Sequence, residues 1–439
     1  MSGIARLLLG RGFTVSGSDL KENRVTQELK RLGARIFLGH NALNINGADA
    51  IIYSSAIKED NPEVIEAKKN NIPLKKRALG LAELMQDKTV ITVTGSHGKT
   101  TTSSLISYLL LEAGLQPTIA VGGILRNIDS NAYLGDGKFF VAEADESDGS
   151  FLYYYPDYSI ITNIDREHLD YYQSFEKEIA AFSEFINQTK KNGCILGCSD
   201  DPVLKKLLDH YQGRHISFGL KKDADVYPAN ITMSILSSEF DCFYQGKFVQ
   251  RFRLALGGLH NISNSLAVIG LGLELNLKLE CIRKSLSSYQ GSERRLEVKF
   301  QNSDFLVIDD YAHHPTEIKA TLAAVRELKA KRVIAVFQPH RYSRTQLLWD
   351  DFAHSFDLVD YLVVTDIYPA SEKPLLGISG EALCRKIKEN KPGGETYFLA
   401  KEEITEHLLR IKQPGDLVIM LGAGDIVKTC DELVNKIKG

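Results

Sequence analysis

"VITVTGSHGKTTTSSLISYLL", residues 90–110, is the stretch on which the fold turns. Val90–Thr94 is a β-branched, apolar run of the kind that makes a buried strand. Gly95-Ser96-His97-Gly98-Lys99-Thr100 follows, and then Leu105, Ile106, Leu109 and Leu110 recur on one helical face. Strand, glycine loop and helix in this order are the setting of a phosphate-binding loop. Glycines let backbone N–H groups turn toward phosphate oxygens, and a helix N-terminus adds partial positive charge. In this reading Lys99 sits on a solvent-facing loop and reaches the β- and γ-phosphates of a nucleotide, while the Thr100 hydroxyl ligates Mg2+. The loop is shorter than usual, because Val93 stands where the first glycine would be.

The same alternation of strand and helix runs outward in both directions. Residues 1–86 carry short strand patterns in "FTVSGSD", "ARIFLG" and "DAIIYSS", separated by helical stretches such as the apolar face of Ile4, Ala5, Leu7, Leu8 and Leu9. Strands alternating with helices predict parallel pairing. The unit that begins at "KTVITVTG" extends to about Arg295, and "YQGSERRLE", residues 289–297, reads as a hinge. A third unit follows with "FLVIDDYAHHP", a helix from Pro315 to Lys329, and the strand "RVIAVFQ". The expected fold class is therefore α/β in three domains, 1–86, 87–295 and 296–439.

Three further stretches carry chemistry. "KFFVAEADESDGSF" is an apolar strand that ends at Glu143 and runs on into Asp145, Glu146 and Asp148. Ligands of open α/β sheets lie beyond the carboxyl ends of strands, which places Glu143 well for a metal on a nucleotide. "YSIITNIDREHLDYY" repeats the pattern, with a strand end at Asn163 and His168 just beyond. That imidazole takes a second Mg2+ or orients substrate, or is an ordinary loop histidine. "LGGLHNISNSLAVIGLGLEL" sets Gly258, His260, Asn261 and Asn264 at the start of an apolar helix, where amides suit either base recognition or helix capping.

Composition excludes several classes. With 25 % charged and 44 % hydrophobic residues the chain is ordinary for a globular protein, and its net charge of −3 gives no electrostatic case for nucleic acid. No apolar run approaches the ~20 residues of a membrane span, and no signal peptide is evident. The six cysteines are scattered; Cys194 and Cys198, in "NGCILGC", read as reduced core residues. The expectation is a cytoplasmic protein with small-molecule substrates and no nucleic-acid or membrane partner, monomeric or weakly dimeric.

"TGSHGKTTT", "EADESDGSF", "TNIDREHLDYY", "GLHNISNSLA", "DDYAHHPTEI", "FQPHRYSRT" and "LGAGDI" occur in this order along the chain. Together they resemble the Mur ligases, ATP-dependent amide-forming enzymes of bacterial peptidoglycan synthesis. "SSAIKEDNPE", "DDYAHHP", "QPHRYSRT" and "GAGDI" are most similar to the members that join L-alanine to UDP-N-acetylmuramate. The resemblance implies a UDP-sugar domain, a central ATPase, and a Rossmann-like C-terminal domain that closes over the site. It implies ATP held by Gly95, Ser96, His97, Gly98, Lys99, Thr100 and Thr101, with Mg2+ on Thr100, Glu143 and His168. It further implies adenine at His260, Asn261 and Asn264, ribose at Asp309 or Asp310, and γ-phosphate at Arg294 or Arg295. His314, His340, Arg341 and Arg344 would face the muramoyl and alanine substrates, with His340 or His168 as the base for the amine. A relative that attaches a preformed peptide to the same sugar, and a nucleotide-binding protein without ligase activity, are the alternatives. The family pattern also has a strand and a glycine-rich loop ahead of the stretch matched by Met1-Ser2-Gly3. From this we expect an N-terminal sheet short of one strand, with ATP binding intact and UDP-sugar binding weak.

Overall fold

The computed structural model describes residues 1–234, 236–391 and 393–438, with the side chain of Asp170 left out of account. Ten strands make the largest sheet, in the order Lys247–Leu254, Ser238–Tyr244, Val226–Met233, His215–Phe218, Cys194–Cys198, Tyr158–Ile161, Thr89–Thr94, Phe139–Glu143, Thr118–Leu125 and Ser130–Tyr133. Thr89–Thr94 is the strand that decides the site. It pairs in parallel with Phe139–Glu143 on one side and Tyr158–Ile161 on the other, in register Val93↔Glu143 and Thr94↔Ile161. The carboxyl ends of all three strands therefore open onto one edge. Ile91, Val93, Phe140, Val141, Ile160 and Ile161 have almost no exposure, as expected for a parallel sheet covered on both faces.

Six strands form the second sheet: Glu297–Gln301, Phe305–Asp310, Asp416–Leu421, Arg332–Phe337, Tyr361–Val364 and Glu395–Phe398. The first pair is antiparallel and the rest are parallel. Alternate residues along these strands feed two cores. Val333, Ala335, Phe337, Leu417, Ile419 and Leu421 pack with the helices Pro315–Arg326 and Gly380–Asn390. Ile334, Val336, Val418 and Met420 pack with Ile404–Ile411 and Ile426–Lys438. Helices on both faces make this a doubly wound sheet. Among the described residues no helix is long and apolar enough to cross a membrane.

The first 86 residues depart from the single parallel sheet expected of them. Ser16–Asp19 pairs with Arg35–Leu38, and Ile51–Tyr53 with Leu74–Lys76, each in parallel but as two separate pairs. These strands are three or four residues long and none of their residues is fully buried, so they offer little apolar surface on which to zip together. By internal packing the chain forms two compact units. One comprises Met1–Ala229, Asp241–Phe252 and Ser263–Gln290; the other comprises Asn230–Phe240, Arg253–Ile262 and Gly291–Gly439. The change at Gly291 falls inside the expected hinge. Cys194–Cys198 is a buried strand, and both its thiols are free.

Candidate active site

The phosphate loop is built by backbone geometry that side chains cannot tolerate. Gly95 has φ +123°, and a Cβ there would stand 2.3 Å from Thr162 Oγ1. Gly98, at φ +84°, is the N-cap of the helix Lys99–Glu112, and its missing Cβ makes room for the Asn264 amide. The loop is fastened to residues 162–165. Ser96 N–H donates to Asn163 O at 3.1 Å, His97 N–H to Asn163 Oδ1 at 2.9 Å, and the His97 ring meets Asp165 at 3.0 Å. Those two amides are spent on Asn163, and the first-turn amides of Lys99–Glu112 are the donors an anion would find.

Lys99 is not on a solvent-facing loop. It is the first residue of the helix, with a side chain only 14 % exposed. Its Nζ donates to Gly95 O at 2.7 Å, Ser96 O at 3.2 Å and Glu146 Oε1 at 2.7 Å. Burial alone would pull the ammonium pKa down, but the negative charges of Glu146, Asp145 and Glu167 outweigh it and hold Lys99 above the ordinary lysine range. Asp145 is half-buried, and Lys99 holds it below the ordinary aspartate range.

Two sets of oxygen donors flank this lysine. Thr100 Oγ1 donates to Glu143 Oε1 at 3.2 Å, and Glu143 Oε2 accepts the Gly122 N–H at 2.9 Å. Beyond Lys99, Glu146, Glu167 and His168 bring one ligand atom each within 4.8 Å of one another. His168 Nε2 lies 3.4 Å from Glu146 and 3.6 Å from Glu167. Hydroxyl and carboxylate donors are the hard oxygens that Mg2+ takes. Glu146 also keeps a buried Oε2 with no hydrogen-bond partner among the described residues, so the donor set fits a cation. Sequence reasoning passed over Glu167, although it sits beside His168 at a strand end. It also missed Glu178, in the first turn of Phe175–Gln188, which reads as an ordinary helix-start carboxylate. Glu178 is fully buried, neither of its oxygens has a hydrogen-bond partner among the described residues, and burial with the charges of Glu146, Glu167 and Asp165 pushes it up to about 8.

The candidates of the second unit divide into struts and a pocket. Arg294, expected at a γ-phosphate, is committed inside its own unit: Nε donates to Asp309 Oδ2 at 3.0 Å and the other nitrogens to Gly422 O and Gly424 O. Asp309 has no exposure and Asp310 only 4 %. Asp310 accepts the amides of Leu296 and Ala312, and burial raises it to about 6 against the pull of Arg295. Both carboxylates, the pair expected at the ribose, tie residues 294–296 to the sheet. Arg295 lies over the Tyr311 ring and 3.6 Å from Glu317. His260 is held near pH 4 by burial and by Arg295. Asn261 lies inside the helix Leu259–Glu274 and its amide donates to Gly257 O at 2.8 Å, whereas Asn264 lies against the phosphate loop. His314 is the N-cap of Pro315–Arg326 and is buried there.

His340, Arg341 and Arg344 do come together, beyond the carboxyl end of Arg332–Phe337. His340 stacks on Tyr368 at 5.6 Å and meets His313 edge-on, so its ring is clamped. Arg344 NH1 lies 3.1 Å from His340 Nδ1. A guanidinium only donates, so Nδ1 accepts and the neutral ring carries its proton on Nε2. Burial, His313 and the two arginines lower the His340 pKa to about 3. An imidazole so placed donates a hydrogen bond and is a poor base for an amine. Arg341 stands at φ +69°, ψ 139°, a conformation rare outside glycine, fixed by its amide on Tyr368 O at 2.9 Å.

A phosphate loop with flanking carboxylates lies in one α/β unit and an arginine–histidine cluster in a second, parts that suit an enzyme handling a nucleotide. Family profiles give it a lineage: "Mur ligase family, catalytic domain" matches residues 1–89, "Mur ligase middle domain" residues 93–272, and "Mur ligase, glutamate ligase domain" residues 294–424. The chain belongs to the Mur ligase family. It is 45 % identical to the UDP-N-acetylmuramate–L-alanine ligase of Aquifex aeolicus over 438 residues, covering all of this chain and 95 % of that one. It is 44 % identical to the ligase of the same name from Syntrophus aciditrophicus, covering all of this chain and 91 % of that one. Its fold matches the crystal structure of UDP-N-acetylmuramate–alanine ligase from Thermotoga maritima with a TM-score of 0.84 at 28 % identity, over 100 % of this chain and 96 % of that one.

Two outcomes follow from the buried charges. Lys99→Ala leaves the Glu146 carboxylate buried without its cation and should destabilise the protein by about 3–5 kcal/mol. Lys99→Ala/Glu146→Gln should recover most of that loss in urea unfolding, and a double mutant no more stable than the single would show the pair is not coupled. Glu178 stays protonated in the fold while the unfolded chain ionises above its ordinary value. Its contribution to stability is therefore full at low pH and is lost as pH rises toward 8. Relative to wild type, metal-free Glu178→Gln should gain at most about 1.4 kcal/mol per pH unit between pH 5 and 8; a gain that does not change with pH would refute the assignment.

Proposed function

We propose that this enzyme joins L-alanine to the lactyl carboxylate of UDP-N-acetylmuramate, driven by conversion of ATP to ADP and phosphate, in peptidoglycan synthesis. The observation that carries this reading is the 42–46 % identity over essentially the whole chain to ligases of that name, with the phosphate loop and the His340–Arg341–Arg344 pocket both present. We assign residues 1–86 to the UDP-sugar, 87–295 to the nucleotide and 296–439 to the amide-forming substrates.

A carboxylate is a poor electrophile, and the triphosphate it must attack is also an anion. Lys99 and the first-turn amides of its helix would hold the β- and γ-phosphates. When ATP arrives, a γ-phosphate oxygen can take the place of Glu146 on Nζ. Thr100 and Glu143 would hold one Mg2+, and His168 with Glu146 and Glu167 a second. Bound Mg2+ supplies charge neutralisation on the phosphate oxygens. A lactyl carboxylate oxygen attacks the γ-phosphorus, ADP leaves, and an acyl phosphate remains. The L-alanine amine then attacks the acyl carbon, loses a proton, and phosphate departs. Arg341 and Arg344 offer bidentate donors to a carboxylate, and His340 donates through Nε2. Aligned donors of this kind stabilise charge that develops as the tetrahedral intermediate forms.

Phosphate release should require ATP, UDP-N-acetylmuramate and L-alanine together. Release only with a tripeptide would favour the peptide-attaching alternative, and release without any acceptor would favour a plain ATPase. Arg344→Ala should lower kcat/KM for L-alanine roughly 10- to 100-fold through loss of a charged hydrogen bond, with ADP affinity unchanged. An ADP dissociation constant that rises in step would move Arg344 to the nucleotide.

A further inference from the structure

Gly122 stands where its strand leaves the sheet. Within Thr118–Leu125, residues Thr118–Ala120 pair in parallel with Phe140–Ala142, and the pairing with Ser130–Tyr133 shifts register between Ala120 and Leu125. In that interval the Gly122 N–H donates to Glu143 Oε2 at 2.9 Å. A Cβ at position 122 would lie 2.7 Å from Glu143 Oε1, 2.8 Å from Oε2 and 2.9 Å from the carboxyl carbon. The Gly122 φ is not among the positive values of this chain, so the backbone itself would accept alanine. What excludes a side chain here is the carboxylate of Glu143.

We infer that Gly122 is a positioning residue for the metal carboxylate: its bare Cα and its amide together press Glu143 against Thr100, so that both present oxygens to one cation. The inference rests on Thr100 and Glu143 being Mg2+ ligands. Glu143 is fixed from three sides, by the Thr100 hydroxyl at 3.2 Å, the Gly122 amide at 2.9 Å and the Ser103 hydroxyl at 3.5 Å. Partners that orient a metal ligand matter nearly as much as the ligand, and their loss costs about 10- to 100-fold in metal affinity. A methyl group at 122 would push the flexible carboxylate aside and leave the sheet undisturbed, because Gly122 is exposed and the three atoms nearest the added one all belong to the Glu143 side chain.

The test is Mn2+ binding, read by electron paramagnetic resonance in the presence of ADP, on wild type, Gly122→Ala and Glu143→Gln. Gly122→Ala should weaken Mn2+ at least about tenfold, with metal-free ADP affinity and melting temperature unchanged, and Glu143→Gln should weaken Mn2+ further. Unchanged Mn2+ affinity in Gly122→Ala beside a weakened Glu143→Gln overturns the inference while the metal assignment stands. Unchanged affinity in both variants removes Glu143 from the metal site and the inference with it. A fall in melting temperature or in metal-free ADP affinity on Gly122→Ala would make the glycine structural and also overturn it.

Discussion

The ion pair between Lys99 and Glu146 is the constraint to which the rest of the site conforms. A buried ammonium needs a carboxylate, and a buried carboxylate needs a cation, or folding stalls on desolvation. The two residues come from loops after different strands, 47 positions apart. They meet because Thr89–Thr94 and Phe139–Glu143 are parallel neighbours that end together. The same adjacency brings Thr100 to Glu143. On the other flank Tyr158–Ile161 delivers Asn163, Asp165 and His168 to the far side of the loop. One parallel arrangement of three strands thus places a cation, a hydroxyl, three carboxylates and an imidazole around the N-terminus of the helix Lys99–Glu112. Lys99 is the one permanent positive charge among them, held by groups that a phosphate can replace.

Much of this was legible from residue order alone. Glycine spacing and helical periodicity located the strand, loop and helix at 89–112, and the strand-end rule picked out Glu143. What escaped was the use each polar group is put to. The amides of Ser96 and His97 are bound to Asn163, a residue 66 positions away from His97, and no local signal reports that. Arg294, Asp309 and Asp310 carry the residue types of a phosphate and ribose site, and no local signal reports that they also bond to one another and to residues 296, 422 and 424. Glu178 looks like any acidic residue in a first helical turn, and only burial makes it a protonated acid. Gly122 reads as one of a pair of strand glycines until the carboxylate opposite it is known.

The second unit follows the same logic with fewer anions. His340 is fixed by ring stacking, and its tautomer is dictated by Arg344, so the cluster offers an imidazole N–H beside two guanidinium groups. Arg341 is held in a strained backbone conformation by Tyr368 O, which fixes the direction in which its side chain leaves the chain. A pocket of donors recognises an anion, whereas a general base would need an open lone pair. The arrangement fits a reaction in which charge is stabilised at each step and no side chain becomes covalently attached.

Acyl phosphate formation is the central claim, and oxygen tracing tests it most directly. UDP-N-acetylmuramate labelled with 18O in its lactyl carboxylate is turned over with ATP and L-alanine, and the released phosphate is examined by 31P NMR. The account predicts one 18O atom in each phosphate, because the bridging oxygen of the acyl phosphate leaves with phosphorus when the amine attacks carbon. Phosphate without label, or label appearing in AMP, would contradict it.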